Sequence, residues 1–264
     1  MRTADPFVRP RALRDPALRL VVFPHAGGSG NVYYPMTRHL PESWDLLLLD
    51  LPGRGRRYAS APVPDMATLV ALVTEDVLSE AGAGGRDTPL VLFGHSLGAI
   101  VAAETARSLT ARGGGPAWLG VSGRVAPGRP PGTGELDPAL PDAELAGGLA
   151  RLGGLPDRLD ELPEFRDRFI RLVRSDLRAL ASYRPDPLRR PLDCPVTAFA
   201  AADDALAPPS GLTDWAAETS GPFRHRVFPG GHFHFLGEGF PAFTEALVAE
   251  IRAAVPLEAA ARGR

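Results

Sequence analysis

Short unbroken apolar runs alternate along the chain with longer segments whose apolar residues recur at helical spacing. Leu18 to Phe23, Trp44 to Asp50, Pro89 to Phe93, Trp118 to Ser122, Pro195 to Ala201 and Phe223 to Phe228 have strand length. The Trp44 run reads as apolar on both faces, as a strand covered on both sides of a parallel sheet requires. Met66 to Ala81 places Leu69, Val70, Val73 and Val77 on a helical stripe and ends at Gly82. An Ala-rich helix after Ser96 is stopped by Gly113-Gly114-Gly115, and Phe240 to Val255 forms a closing amphipathic helix. Some seven strands alternating with helices predict an α/β fold, a mostly parallel central sheet with helices on both faces. No internal repeat or linker divides residues 1–264, which are expected to form a single domain.

The stretch from Pro127 to Pro191 is too long for an ordinary strand connection. It opens with a Pro/Gly-rich run to Gly134 and then shows two helical patterns, Asp142 to Leu152 and about Pro163 to Tyr183. The second carries Phe165, Phe169, Leu172, Leu177 and Leu180 on one stripe. Helices inserted at about 128–190, on the side where the sheet's chemistry emerges, are expected to form a lid, part of which lines an acyl-binding chamber.

The chemistry is densest where Pro89-Leu90-Val91-Leu92-Phe93 meets Gly94-His95-Ser96-Leu97-Gly98. A strand, Gly-x-Ser-x-Gly and then a helix make a nucleophile elbow, in which Ser96 rides a turn too tight for side chains at Gly94 and Gly98. The order Ser, Asp, His locates its partners. Pro195 to Ala201 is followed by Ala202-Asp203-Asp204, and Asp204 is the candidate acid, with Asp203 as the alternative. Trp118 to Ser122, after which many serine hydrolases carry the acid, is followed by Gly123-Arg124-Val125 with no carboxylate. The last strand enters Pro229-Gly230-Gly231-His232-Phe233-His234, making His232 the candidate base and His234 its runner-up. In that arrangement His232 takes the Ser96 proton and Asp204 fixes its tautomer. The backbone N–H groups of Ala26, on the Pro24-His25-Ala26-Gly27-Gly28 loop, and of Leu97 are assigned to the oxyanion hole. His39 and His225 are read as surface or structural residues, and His25 and His95 as scattered from the rest.

Composition narrows the picture. The net charge of −2 argues against nucleic acid or an anionic membrane as partner. Every basic residue apart from histidine is arginine, and Cys194 is the only cysteine, so no intramolecular disulfide or Cys-rich metal site is expected. No run reaches membrane-spanning length and the Arg- and Pro-rich start, Met1 to Pro16, has no signal-peptide core; a soluble cytoplasmic protein is expected.

Taken together, Phe23-Pro24-His25-Ala26-Gly27-Gly28, Asp50-Leu51-Pro52-Gly53-Arg54, Gly94-His95-Ser96-Leu97-Gly98 and Phe228-Pro229-Gly230-Gly231-His232-Phe233 resemble the type II thioesterases of polyketide and nonribosomal peptide synthesis. The likeness runs from about Leu18 to Val255 and includes Leu152-Gly153-Gly154 and Asp176 to Tyr183. It implies an α/β-hydrolase fold and hydrolysis of aberrant or stalled acyl groups from the phosphopantetheine arm of an acyl or peptidyl carrier protein. No cofactor and no metal are implied, the substrate itself carrying the phosphopantetheine. The chain departs from the family where a Gly-Asp-x-Asp-Pro-like run is usual and Ala201-Ala202-Asp203-Asp204-Ala205 stands instead.

The expected protein is a free-standing monomer that meets its carrier transiently. A general carboxylesterase or lipase with the same triad is the alternative enzyme, a macrocycle-forming thioesterase domain a weaker one, and a catalytically dead binding module the alternative from another class. Because carrier proteins are usually acidic, Arg54 and Arg57 on the glycine-rich loop could dock one in a salt-sensitive way; a solvated charged loop is the plain alternative.

Overall fold

The computed structural model describes residues 5–83, 88–129, 136–155, 159 and 163–257. Seven strands form one sheet: β1 (Phe7–Val8), β2 (Leu18–Phe23), β3 (Trp44–Leu49), β4 (Leu90–His95), β5 (Trp118–Ser122), β6 (Val196–Ala201) and β7 (Phe223–Phe228). Their order is β1-β3-β2-β4-β5-β6-β7, with β1 antiparallel to β3 and every other pairing parallel. This is the mostly parallel α/β architecture expected from the alternation. The exception is β1, whose two residues are too few to show any periodicity; Phe7 pairs with Leu49 and is buried.

The helices are α1 (Met66–Ala83), α2 (Leu97–Ala111), α3 (Asp142–Arg151), α4 (Pro163–Ser182) and α5 (Phe240–Ala254). Two apolar layers sandwich the sheet. On one face Val21, Leu47, Leu92 and Val121 pack with Leu69, Val73, Ile100 and Val101 of α1 and α2. On the other Val22, Leu48, Phe93 and Phe199 pack with Phe243, Leu247 and Ile251 of α5. Alternate residues of each central strand thus feed opposite layers, which is why these strands read as continuous apolar runs.

Between β5 and β6 the chain builds a third, smaller cluster. Leu145 and Leu149 of α3 pack on Phe169, Ile170, Val173 and Leu177 of α4. Leu177 and Leu180 also line a cavity under these helices. Phe165, placed by its spacing on the buried stripe, is instead 47% exposed. Part of the 128–190 segment and the tail beyond 257 lie outside the described residues. Among the described residues no helix is long and apolar enough to cross a membrane.

Candidate active site

The elbow has the geometry that its glycines require. A Cβ on Gly94 would stand 2.0 Å from the Gly98 carbonyl oxygen, and one on Gly98 would stand 2.1 Å from the Phe23 oxygen on β2. Both distances are far inside van der Waals contact, so no residue but glycine fits. Ser96 is the one non-glycine residue at positive φ among the described residues, with φ 55° and ψ −114°. Such a conformation costs about 1–3 kcal/mol and persists only where its surroundings impose it. Here the Ser96 N–H donates to Ser122 O at 2.8 Å and its carbonyl accepts the Ala99 N–H at 3.1 Å. Leu97 follows as the first residue of α2, where N–H groups have no intrahelical acceptor.

Asp204 lies just beyond β6 and is 3% exposed, whereas Asp203 is exposed. The Asp204 Oδ1 accepts the N–H groups of Leu206 and Ala207 at 2.9 and 3.2 Å, and its Oδ2 lies 2.8 Å from His232 Nδ1. Burial pushes the Asp204 pKa up, but the His232 hydrogen bond, its charge and the two backbone donors outweigh this and leave it below the ordinary value. The alternatives left open by the sequence therefore separate: Asp204, not Asp203, is joined to His232. His234 has no such partner; it stacks on Phe228 with ring centroids 5.1 Å apart, and both its nitrogens lack hydrogen bonds.

Ser96, His232, His25, Ala26 and Leu206 converge on one cavity of about 510 Å³, roofed by leucines 136, 140, 149, 152, 177 and 180. Ser96, His232 and Ala26 thus line a single largely apolar chamber, and Asp204 stands behind His232, outside the lining. His25 and His95 are not scattered, as their sequence positions had implied. The His95 ring lies 4.8 Å from that of His232 and 6.1 Å from that of His25. His25 Nδ1 pairs with the Tyr33 hydroxyl at 3.1 Å, and His95 Nδ1 with Ser122 Oγ at 3.1 Å. Burial, reinforced by the neighbouring His232, depresses His25 to about 3 and holds His95 well below the usual histidine value.

The arginine loop meets neither of its expectations. Arg54 is buried and grips Asp176 of α4 in a fork, Nη1 to Oδ2 at 2.7 Å and Nη2 to Oδ1 at 2.6 Å. Arg57 is buried against Asp76 at 2.6 Å. Of the three, only Arg56 is exposed, with Asp5 3.5 Å away. Arg54 and Arg57 are internal ties, neither free to dock a carrier nor solvated. In the sequence Asp176 opens a family-like segment without an assigned partner; its place in the Phe169, Leu172, Val173, Leu180 stripe was the signal, since a carboxylate on a buried helix face needs one.

Residues 18–252 match the family model described as Thioesterase domain. The chain belongs to the thioesterase family. Among its relatives, the thioesterase PikA5 of Streptomyces venezuelae is 39% identical over 222 residues, 83% of this thioesterase and 75% of its own length. The "Probable cadicidin biosynthesis thioesterase" of Streptomyces griseus is 37% identical over 217 residues, 82% of this chain but 58% of its own length. Of the solved structures, RedJ, a thioesterase from the prodiginine pathway of Streptomyces coelicolor, has a TM-score of 0.81 at 35% identity, covering 89% of this thioesterase and 91% of RedJ. BorB, the type II thioesterase from the borrelidin biosynthetic cluster, gives 0.82 at 30% identity, covering 96% and 99%. BorB and YbtT, the latter from a yersiniabactin NRPS/PKS pathway, are named type II thioesterases, in keeping with the resemblance read from the sequence motifs.

Proposed function

We propose that this thioesterase hydrolyses acyl thioesters on the phosphopantetheine arm of a carrier protein, clearing stalled or aberrant acyl groups, through a Ser96-His232-Asp204 triad. The observation that carries the reading is the 2.8 Å contact between His232 Nδ1 and Asp204 Oδ2 at the wall of the cavity on which Ser96 opens. With Nδ1–H held by Asp204, the other imidazole nitrogen is the basic one and takes the Ser96 proton as Oγ attacks the thioester carbonyl. The oxyanion is met by the Ala26 and Leu97 N–H groups, a term often worth ~3–4 kcal/mol per donor. The pantetheine thiol leaves with the proton from His232. Water, deprotonated by the same imidazole, then attacks the acyl-serine, and the acid and free Ser96 are released.

The helices α3 and α4 serve as the lid, and the leucines beneath them take the acyl chain while excluding bulk water. The protein acts as a monomer that engages its carrier transiently. Acyl-carrier thioesters assayed with the wild type and with Ser96→Ala test the reading; undiminished turnover by the variant would sink it. Parallel assays with p-nitrophenyl esters of equal chain length address the carboxylesterase alternative, which requires ester cleavage to be much the faster.

A further inference from the structure

The position after β5, at which many serine hydrolases carry their acid, holds Arg124 instead. Its neighbour Gly123 abuts the base, for a Cβ there would stand 3.1 Å from His232 Cε1. Arg124 lines the catalytic cavity together with Ser96, His232 and Leu180. Its main chain is pinned, the Trp215 Nε1–H donating to the Arg124 carbonyl at 2.8 Å. Its side chain is not. The Nε is buried with no hydrogen-bond partner, and among the described residues no carboxylate pairs with the guanidinium. Arg124 is half-buried, and the fully buried arginines differ from it: Arg19 holds Asp45, Arg54 holds Asp176 and Arg57 holds Asp76. Asp137, the one acid lining the same cavity among the described residues, is exposed and turns its Oδ1 to the Ala139 N–H at 2.7 Å.

A half-buried guanidinium whose Nε is cut off from solvent without a partner is costly, and the cost is recovered when an anion supplies two parallel acceptors. We propose that Arg124 makes the catalytic cavity a subsite for acyl chains ending in a carboxylate, so that half-thioesters of short dicarboxylic acids are favoured substrates. The inference rests on the thioesterase reading and adds to it the charge of the chain. A carboxylate fits better than the phosphate of the arm. Arg124 stands beside the residue that abuts His232, at the reacting end of the substrate, whereas the phosphate lies at the far end of the arm from the sulfur. On the outer side Arg124 also borders a cavity of about 290 Å³ with Arg129 and Arg184, but Arg129 is already bound to Asp214 and Arg184 donates to the Ala181 and Tyr183 carbonyls at 2.8 Å.

The test compares succinyl- and glutaryl-pantetheine with butyryl- and valeryl-pantetheine, each with and without the phosphate on the arm, using wild type, Arg124→Gln and Arg124→Lys. In the wild type kcat/KM is expected to favour the carboxylate-ended chains. Arg124→Gln is expected to lower that preference about tenfold or more, and Arg124→Lys to keep part of it, as a point charge without the fork. Thermal unfolding of each variant shows whether it is folded, and the ratio of substrates within one protein is independent of its active fraction. Absence of a wild-type preference, or an Arg124→Gln effect equal on both chain types, would overturn the proposal. So would a loss that follows the phosphate of the arm. Ser96-dependent cleavage of butyryl-pantetheine stands apart from all of these; its absence would be a failure of the hydrolase reading itself.

Discussion

Asp176 of α4 and Arg54 of the loop after β3 form a buried two-bonded ion pair that ties α4 to the loop after β2. The same carboxylate accepts the Gly27 N–H at 2.7 Å, and Arg54 Nη1 donates to the Gly28 carbonyl at 3.1 Å. Gly27, at φ 77°, follows Ala26 directly, and a Cβ on it would stand 2.6 Å from Val173 of α4. Helix and loop are therefore locked together next to the proposed oxyanion donor.

Asp176→Asn keeps the shape of the side chain but removes the charge that Arg54 needs. Breaking a buried pair from one side costs about 3–5 kcal/mol, so a large drop in Tm is expected. Because Ala26 loses its support, kcat is expected to fall about tenfold or more with a smaller change in KM. Thermal unfolding and steady-state kinetics on one short acyl-pantetheine check both. Unchanged kcat in a folded variant would limit Asp176 to stability.

The two adjacent aspartates are expected to differ sharply. Asp204→Asn leaves His232 in the wrong tautomer and is expected to lower kcat by about three to four powers of ten. Asp203→Asn, whose exposed carboxylate touches neither His232 nor the cavity, is expected to retain wild-type rates. Parallel kinetics on the two single variants decide which acid the triad uses.

Gly98→Ala places a methyl group 2.1 Å from the Phe23 carbonyl oxygen, a backbone atom of the adjacent strand that cannot step aside. A loss of about 3 kcal/mol or more, or failure to fold, is expected on chemical denaturation. Gly113→Ala offers a contrast: nothing lies within 4 Å, and the cost is confined to the positive φ of 82°.

Acid is expected to destabilise the fold through its buried histidines. His25 falls to about 3 and His234 to about 4, mainly through burial, and His95 lies well below its usual value. Their folded pKa values lie under the unfolded one, so the unfolded chain binds protons first as pH drops. The stability is present above about pH 6.5 and is lost below it, at up to ~1.4 kcal/mol per pH unit for each such group. Denaturation curves at pH 7.5, 6 and 5 should show this slope, and His25→Gln should flatten it by one group's share.

Most of the sheet was legible because a strand buried on both faces must be apolar throughout, and helices packed on one face must repeat near every fourth residue. The elbow was legible because its motif is local in sequence, and Gly94 meets the Gly98 carbonyl within five residues, although Gly98 itself is required by Phe23 on β2. Pairings across long separations were not. Arg54 and Asp176 are 122 positions apart, and a motif of arginines on a glycine loop looks the same whether it faces solvent or a buried carboxylate. Only the folded chain decided that Arg54 and Arg57 turn inward, that His25 and His95 gather round His232, and that Arg124 has no acid of its own among the described residues. Periodicity records which face of an element is buried, but the partner met there depends on how separate elements are superposed, and no local pattern carries that.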